Sequence, residues 1–243
     1  MKVTINLIST RKYHVFVEPL LKSVSEYFLL RHSVHVNIFT DALDKEYSAE
    51  IPLYKSRRES PVSIQTHKIE SYGFPSATLL RYRIMSSIEY DCDYIFYLDV
   101  DYLIVSEVDE EIFGPIVAVL HPGFSVVGGG SWCADENSLA YTNPANRKQY
   151  FCGGTQGGSK DHYVAVMNLL AERIDDDTRR GVKAEWNDEQ HWNWYLSENG
   201  GYKILDSSYC MPDREELAKL WKIGHLPKRI LALSKDHKEF QQP

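Results

Sequence analysis

The 243-residue chain has no apolar run approaching 18 residues, which excludes a helical membrane span from its sequence. Its opening stretch, MKVTINLIS, has one lysine and then alternates as a strand does, so it does not read as an export signal. Cysteine is sparse: four residues, at 92, 133, 152 and 210, with no CxxC pair and no histidine at zinc-finger spacing. That excludes a structural zinc framework, and reduced thiols in the cytoplasm are the expectation. Basic side chains are outnumbered 27 to 34, for a net charge of −7. The balance argues against broad nucleic-acid binding, although a local basic group or a metal could still hold an anionic ligand. The first loop also lacks the GxGxxG fingerprint, which disfavours a dinucleotide-binding fold of that kind. There is no internal repeat and no low-complexity linker, so the length reads as one domain.

What is present alternates as an α/β chain does. Val3, Ile5 and Leu7 predict a first strand over 3–9, followed by a polar loop from Ser9 to Lys12. Leu20, Val24 and Phe28 share a helical face over about 16–30, with Pro19 tolerated in the first turn, and Val34, Val36 and Ile38 form a second strand. This strand, helix, strand order is that of a parallel α/β sheet. Between 42 and 73 only a short strand near 51–54 is expected, followed by loop. Ser76 reads as the N-cap of a helix that buries Leu80, Ile84 and Ile88 and leaves Arg81 and Arg83 off that face. A strand over 116–120 ends in His121-Pro122-Gly123-Phe124. Residues 125–149 form a loop long enough to be functional. The glycines of FCGGTQGG mark a place where backbone must approach something closely. Ser159 caps a helix, Asn187-Asp188-Glu189 opens another that ends near Gly200-Gly201, and short apolar segments at 203–205 and 230–233 complete the chain.

The chain is organised around DYIFYLDVDYLIV. Ile95 to Leu98 read as a buried strand, and extended backbone would turn Asp99 and Asp101 to the same side. Carboxylates beside so much apolar surface need neutralising, and a divalent cation shared with a diphosphate would do it. A bare turn aspartate is the alternative. The same spacing recurs at Asp91/Asp93 and Asp175/Asp177, but in polar surroundings that read as a solvated loop and a helix end.

Four motifs in order carry a resemblance: DVD after an aromatic strand, then HPGF, then YFCGGTQGG, then AEWNDEQHWNWYL. Together they resemble glycosyltransferase family six, which includes the histo-blood-group A and B transferases and the α-1,3-galactosyltransferases. The resemblance runs from Leu7 to about His237. It implies a GT-A fold, a Rossmann-like, mostly parallel twisted sheet flanked by helices, with a donor-binding half of about 1–120 and an acceptor-binding half of about 121–243. It also implies transfer with retention of N-acetylgalactosamine or galactose from a UDP-sugar to the 3-hydroxyl of a β-galactoside, fucosylated or plain. Because the membrane anchor of the animal enzymes is not seen, a bacterial or phage version is expected. Some bacterial members carry NxN instead of DxD and work without metal, so Asp99 and Asp101 imply a manganese site.

Carried over position by position, Ile8, Ser9, Thr10 and Tyr13 match a loop that holds uracil and ribose. Phe74 matches an aromatic position and Arg81 an arginine that reaches the diphosphate and donor sugar. Val100 lies between the metal ligands. Cys152, Gly153 and Gly154 match the segment that sets donor choice, and Gly154 is expected to leave room for an N-acetyl group. His121 and Trp186 match acceptor-binding positions, with Trp132 in the same role. Asp188 matches a donor-sugar carboxylate and Glu189 the glutamate facing the anomeric carbon. Lys235 and His237 match a lysine and histidine that close over UDP. Departures touch the acceptor side: Asn187 stands where animal members have histidine, and Met211-Pro212 displaces the expected acidic residue to Asp213.

Without the resemblance each residue has a plainer reading: core packing for Trp186 and His121, and a helix-dipole glutamate for Glu189. Two rival functions are weighed. A haloacid-dehalogenase-type phosphatase also uses DxD, but on its first strand and followed by Thr or Val two residues on, whereas here Tyr102-Leu103 follow a late strand. A non-catalytic galactoside- or nucleotide-sugar-binding protein on the same fold is the other.

Overall fold

The computed structural model describes residues 1–42, 47, 50–51, 58–236 and 240. Strand β1 (Lys2–Ser9) runs into a 3-10 turn (Arg11–Phe16) and helix α1 (Val17–Tyr27), which is shorter than its apolar spacing predicts. Phe28 turns extended and Leu29 takes φ 47°, which ends the helix before β2 (Ser33–Thr40). Of the strand expected near 51–54, β3 (Glu50–Ile51) is seen and residues 52–54 lie outside the described ones. The loop expected after it holds instead strand β4 (Val62–Lys68), parallel to β2.

The predicted helix at Ser76 divides into α2 (Ser76–Leu79) and α3 (Arg81–Met85). Ser76 is the first helical residue and not the cap, a position held by Pro75. Strands β5 (Tyr94–Leu98), β6 (Tyr102–Ile104) and β7 (Ile116–Leu120) follow. FCGGTQGG is all but the last residue of β8 (Phe151–Ser159), antiparallel to both β5 and β7. Its glycines let neighbouring strands in: a Cβ on Gly157 would lie 2.4 Å from the Phe96 ring.

Helix α4 (Lys160–Arg179) starts after Ser159, whose hydroxyl meets the His162 ring and not a backbone N–H. Asp177, expected at a solvated helix end, is buried and accepts from the Ser138 hydroxyl and the Leu139 N–H, so it pins down the 125–149 loop. Helix α5 (Asn187–Glu198) leads through a turn to β9 (Lys203–Leu205). A small sheet of β10 (Met211–Pro212), β6 and β11 (Ile230–Ala232) closes the chain, with helix α6 (Glu215–Leu220) between its last two strands.

Among the described residues the main sheet has eight strands in the order β3-β4-β2-β1-β5-β8-β7-β9. Its β4-β2-β1-β5 stretch is parallel, which gives the mostly parallel, helix-flanked α/β sheet of a GT-A-like Rossmann fold. One face packs Val3, Ile5, Leu7, Phe96 and Leu98 against α1; the other packs Ile95 and Tyr97 against α3, α4 and α5. Strand order reverses beside β1, where β2 and β5 flank it on opposite sides. The crevice outside the carboxyl ends at such a reversal is where open α/β sheets take ligands. No helix of the described residues is long and apolar enough to cross a membrane.

Candidate active site

Asp99, Val100 and Asp101 sit in that crevice, but not on extended backbone. They form the turn between β5 and β6, closed by the Tyr102 N–H donating to the Asp99 carbonyl at 3.1 Å. The two carboxylates therefore part company. Asp99 Oδ1 accepts from the Tyr97 hydroxyl (2.8 Å) and from Arg81 Nη2 (3.1 Å). Asp101 is buried and takes the Lys235 ammonium. Burial lowers the Lys235 pKa below its usual range, against the pull of Asp99.

Both aspartates, with Val100, line one open cleft that also collects Ile8, Thr10, Tyr13, Phe74, Arg81 and Lys235. Ser9, expected there, does not line it: its side chain is buried and meets the His14 ring at 3.1 Å. Sequence reasoning missed Arg11, Tyr72, Gly73, Ala77, Thr78, Tyr97 and Phe240, which share the lining. Of these, Tyr97 lies inside the quoted DVD stretch, and its phenol on a strand end before two aspartates was a usable signal. His237 lies outside the described residues.

Arg81 is the correction with the largest consequence. Placed off the buried face by its spacing, it is instead 4% exposed. The break between α2 and α3 turns it inward, over the Tyr97 ring at 4.1 Å. Its guanidinium donates to the Gly153 carbonyl and Asp99 and lies 3.1 Å from Asp188 Oδ2. Burial works against its charge, but Asp188, Tyr97 and Asp99 outweigh that and hold the cation firmly. The contact with Asp188 Oδ2 lacks hydrogen-bond geometry, so this buried oxygen has no hydrogen-bond donor, and Arg81 Nε has no acceptor. Arg81 lines the cleft and Asp188 does not, so the two orphaned atoms lie side by side at the cleft's inner wall, where hydrogen-bonding capacity is left open.

Gly153 joins the cleft to the second carboxylate. Its carbonyl faces Arg81 and its N–H donates to Glu189 Oε2 at 2.8 Å. A Cβ on Gly153 would lie 3.3 Å from Glu189 and 3.5 Å from Arg81, so the two side chains close on this residue from either side. Asn193 holds the register: it exchanges hydrogen bonds of 2.8 Å with the Phe151 backbone and caps the Glu189 carbonyl at 2.9 Å. Asn187 precedes the carboxylates with φ 53°, a left-handed conformation that asparagine tolerates better than most residues. Burial pushes the Glu189 carboxyl up to about 7, against the Gly153 hydrogen bond and the nearby Tyr150 hydroxyl, which favour its charge. Asp188 rises to about 6 through burial, opposed by Arg81.

Beyond Glu189 the wall is aromatic. Tyr150, missed in the sequence, is buried beside Glu189, with its ring 5.1 Å from Trp132 and 5.8 Å from His121. His121 Nδ1 accepts the Gly123 N–H at 3.1 Å, which puts the ring proton on Nε2 as a donor. Burial lowers the His121 pKa to about 4, so the ring is neutral. Trp186 stands at the head of α5, 54% exposed, and so is not core packing. Cys152 is buried beneath this surface against Cys210.

Gly154 does not open space for a ligand in this structure. A Cβ built there would lie 2.2 Å from the Tyr102 hydroxyl and 2.6 Å from Asp99 Oδ2. Gly154→Ala is expected to destabilise the protein by about 1–3 kcal/mol, read as a lower urea midpoint with an unchanged slope. An unaltered midpoint would show that Tyr102 yields freely.

Two aspartates suit a divalent ion only if a ligand supplies further oxygens. Among the described residues no third His, Cys or acidic group joins them in a metal-ligating cluster. One or two carboxylates completed by phosphates is an ordinary arrangement for hard cations, and the ammonium on Asp101 occupies a place that calls for positive charge. The residues fit such an ion.

Comparison with known proteins shows the family. The pattern of Glycosyltransferase family 6 matches residues 1–241. The Homo sapiens globoside alpha-1,3-N-acetylgalactosaminyltransferase 1 is 26% identical over 218 residues, covering 88% of this chain and 62% of that protein. The Rattus norvegicus histo-blood group ABO system transferase 1 is 24% identical over 238 residues, 97% of this chain and 67% of the relative. The Mus musculus glycosyltransferase 6 domain-containing protein 1 is 25% identical over 223 residues, 87% and 69% respectively. The chain thus spans less than two thirds of the human relative's length, and it belongs to glycosyltransferase family 6.

Proposed function

We propose that the chain transfers N-acetylgalactosamine or galactose from a UDP-sugar to the 3-hydroxyl of a β-galactoside, with retention. The observation that carries this reading is the Gly153 backbone, with Arg81 on its carbonyl and the Glu189 carboxylate on its N–H. A phosphate-binding cation and a carboxylate are thereby held on one glycine. The sugar named in the human relative, N-acetylgalactosamine, supports the donor class.

In this reading Ile8, Thr10, Tyr13 and Phe74 hold the nucleoside, and Ser9 supports them from behind. Arg81 and Lys235 bind the diphosphate by charge. Asp99 and Asp101 hold Mn²⁺, with Val100 fixing the turn between them. When bound, such an ion supplies positive charge to the leaving diphosphate. Asp188 accepts from a hydroxyl of the donor sugar, filling its orphaned Oδ2. Gly153 borders that sugar, with Cys152 and Gly154 supporting it from within the strand. Glu189 faces the anomeric carbon and stabilises its growing positive charge, either as an attacking nucleophile or as the anion of an ion pair while the acceptor enters on the same face. His121 donates from Nε2 to an acceptor hydroxyl, and Trp186 and Trp132 offer ring faces to the galactoside. The donor half of about 1–120 is joined by 152–154 and 188 from the acceptor half of about 121–243.

The test is release of UDP from each UDP-sugar, with plain and fucosylated galactosides, in Mn²⁺ and in chelator. UDP-N-acetylgalactosamine or UDP-galactose is expected to react, and chelator to abolish release. Release indifferent to chelator would remove the metal role. Inertness of every UDP-sugar, with binding retained, would favour a non-catalytic binding protein.

A further inference from the structure

The aromatic wall continues past His121 onto a residue with no part in the reading above. A Cβ built on Gly123 would lie 3.3 Å from His121 Cε1 and 3.6 Å from Trp221 Cε2, so the indole stands against the same glycine that orients the histidine. Contacts therefore run from Glu189 through Tyr150 to His121, then across Gly123 to Trp221. Trp221 is the member furthest along that series from the carboxylate.

Its placement is specific. It ends α6, with its N–H on the Leu217 carbonyl at 2.9 Å, and one side packs on Met211, Ala218 and Ile223. The chain then turns back through Lys222 at φ 60°, and the Ile223 N–H returns to the Ala218 carbonyl at 2.9 Å. A left-handed helix end with lysine where glycine is usual costs free energy, and here it fixes the tryptophan rather than letting the segment fray. The indole nonetheless remains half-exposed, with Leu220 beside it 69% exposed.

We propose that Trp221 is an acceptor-specificity residue, a stacking platform for the second ring of an oligosaccharide whose terminal galactose lies at His121. This rests on the transfer reading. The hydroxyl that receives the donor must lie near Glu189, so whatever reaches Trp221 is the part of the acceptor beyond the terminal sugar. An indole face matches the C–H face of a pyranose, and the neighbouring Nε2–H of His121 fixes the first ring's orientation. The preferred acceptor is then a β-galactoside of two or more rings over a single-ring galactoside.

The experiment compares Trp221→Leu, which keeps apolar bulk without a flat face, with Trp221→Phe, which keeps a face. KM is measured for a disaccharide β-galactoside and for methyl β-galactoside, with hydrolysis of the UDP-sugar alone as the folding and donor control. Trp221→Leu is expected to raise the disaccharide KM roughly tenfold, the scale of one lost stacking contact. Methyl galactoside KM and donor hydrolysis should stay within about twofold, and Trp221→Phe should recover most of the loss. Equal effects on both acceptors, or equal behaviour of Leu and Phe, would overturn the proposal. Absence of transfer to either galactoside by the unmutated protein would overturn the transfer reading instead.

Discussion

Glu189→Gln is expected to lower transfer by about three orders of magnitude while UDP affinity changes less than threefold, because only charge at the reacting carbon is lost. The glutamine oxygen can still accept the Gly153 N–H, so the Gly153 backbone keeps its orientation. Turnover and UDP titration by calorimetry separate the two effects. A drop of less than tenfold would assign Glu189 to structure rather than chemistry. The same residue sets a pH dependence. Its carboxyl is raised from 4.5 to about 7 by burial, so the ionised form needed at the anomeric carbon fills only as pH rises through about 7. Below that, turnover should fall about tenfold per pH unit in the unmutated enzyme. Stability runs the other way. A raised carboxyl pKa favours the folded state fully below the unfolded value and loses that favour as pH climbs through about 7. The Tm of Glu189→Gln should therefore gain on that of the unmutated protein between those two values.

The order of strands and helices was legible where apolar residues kept a clean period. Val3-Ile5-Leu7 and Val34-Val36-Ile38 alternate, and they form adjacent parallel strands in register. Strand β8 was not legible, because four glycines erase the alternation that marks a strand. Their cause is steric and lies in other strands, with Phe96 against Gly157 and the Pro115 carbonyl 2.2 Å from a Cβ on Gly158. Arg81 was misplaced because helical spacing was projected across residues 76–88, whereas the helix breaks at Leu80 and re-aims everything after it. The two aspartates were found, but for a reason that does not hold: a turn, not extended backbone, brings both to the cleft. Tyr150 opens the YFCGGTQGG motif, but its place beside Trp132 and His121 is set by residues far from it in sequence and was not legible.

Among the described residues Arg81 is the one cation paired with both Asp99 and Asp188, and its loss is expected to have the largest effect on the fold. Its side chain and that of Asp188 are each about 95% buried, and Asp99 stands on the other side at 3.1 Å. Arg81→Met removes the charge together with the guanidinium that lies over the Tyr97 ring, and keeps an unbranched stem. It should destabilise by about 3–5 kcal/mol at pH 8, because a buried ion pair broken on one side leaves a charge uncompensated. Part of that loss should vanish at pH 5, where Asp188, already raised to about 6, takes up a proton and needs no partner. Arg81→Lys is not conservative, for a single ammonium cannot serve the Gly153 carbonyl, Asp99 and Asp188 together. The double variant Arg81→Met/Asp188→Asn decides between charge and packing. If the orphaned carboxylate causes the instability, the second substitution restores most of the urea midpoint at pH 8 and none of the transfer activity. If the midpoint stays low, the guanidinium supports the fold through its stacking on Tyr97 and its bond to Gly153, and the ion pair is secondary.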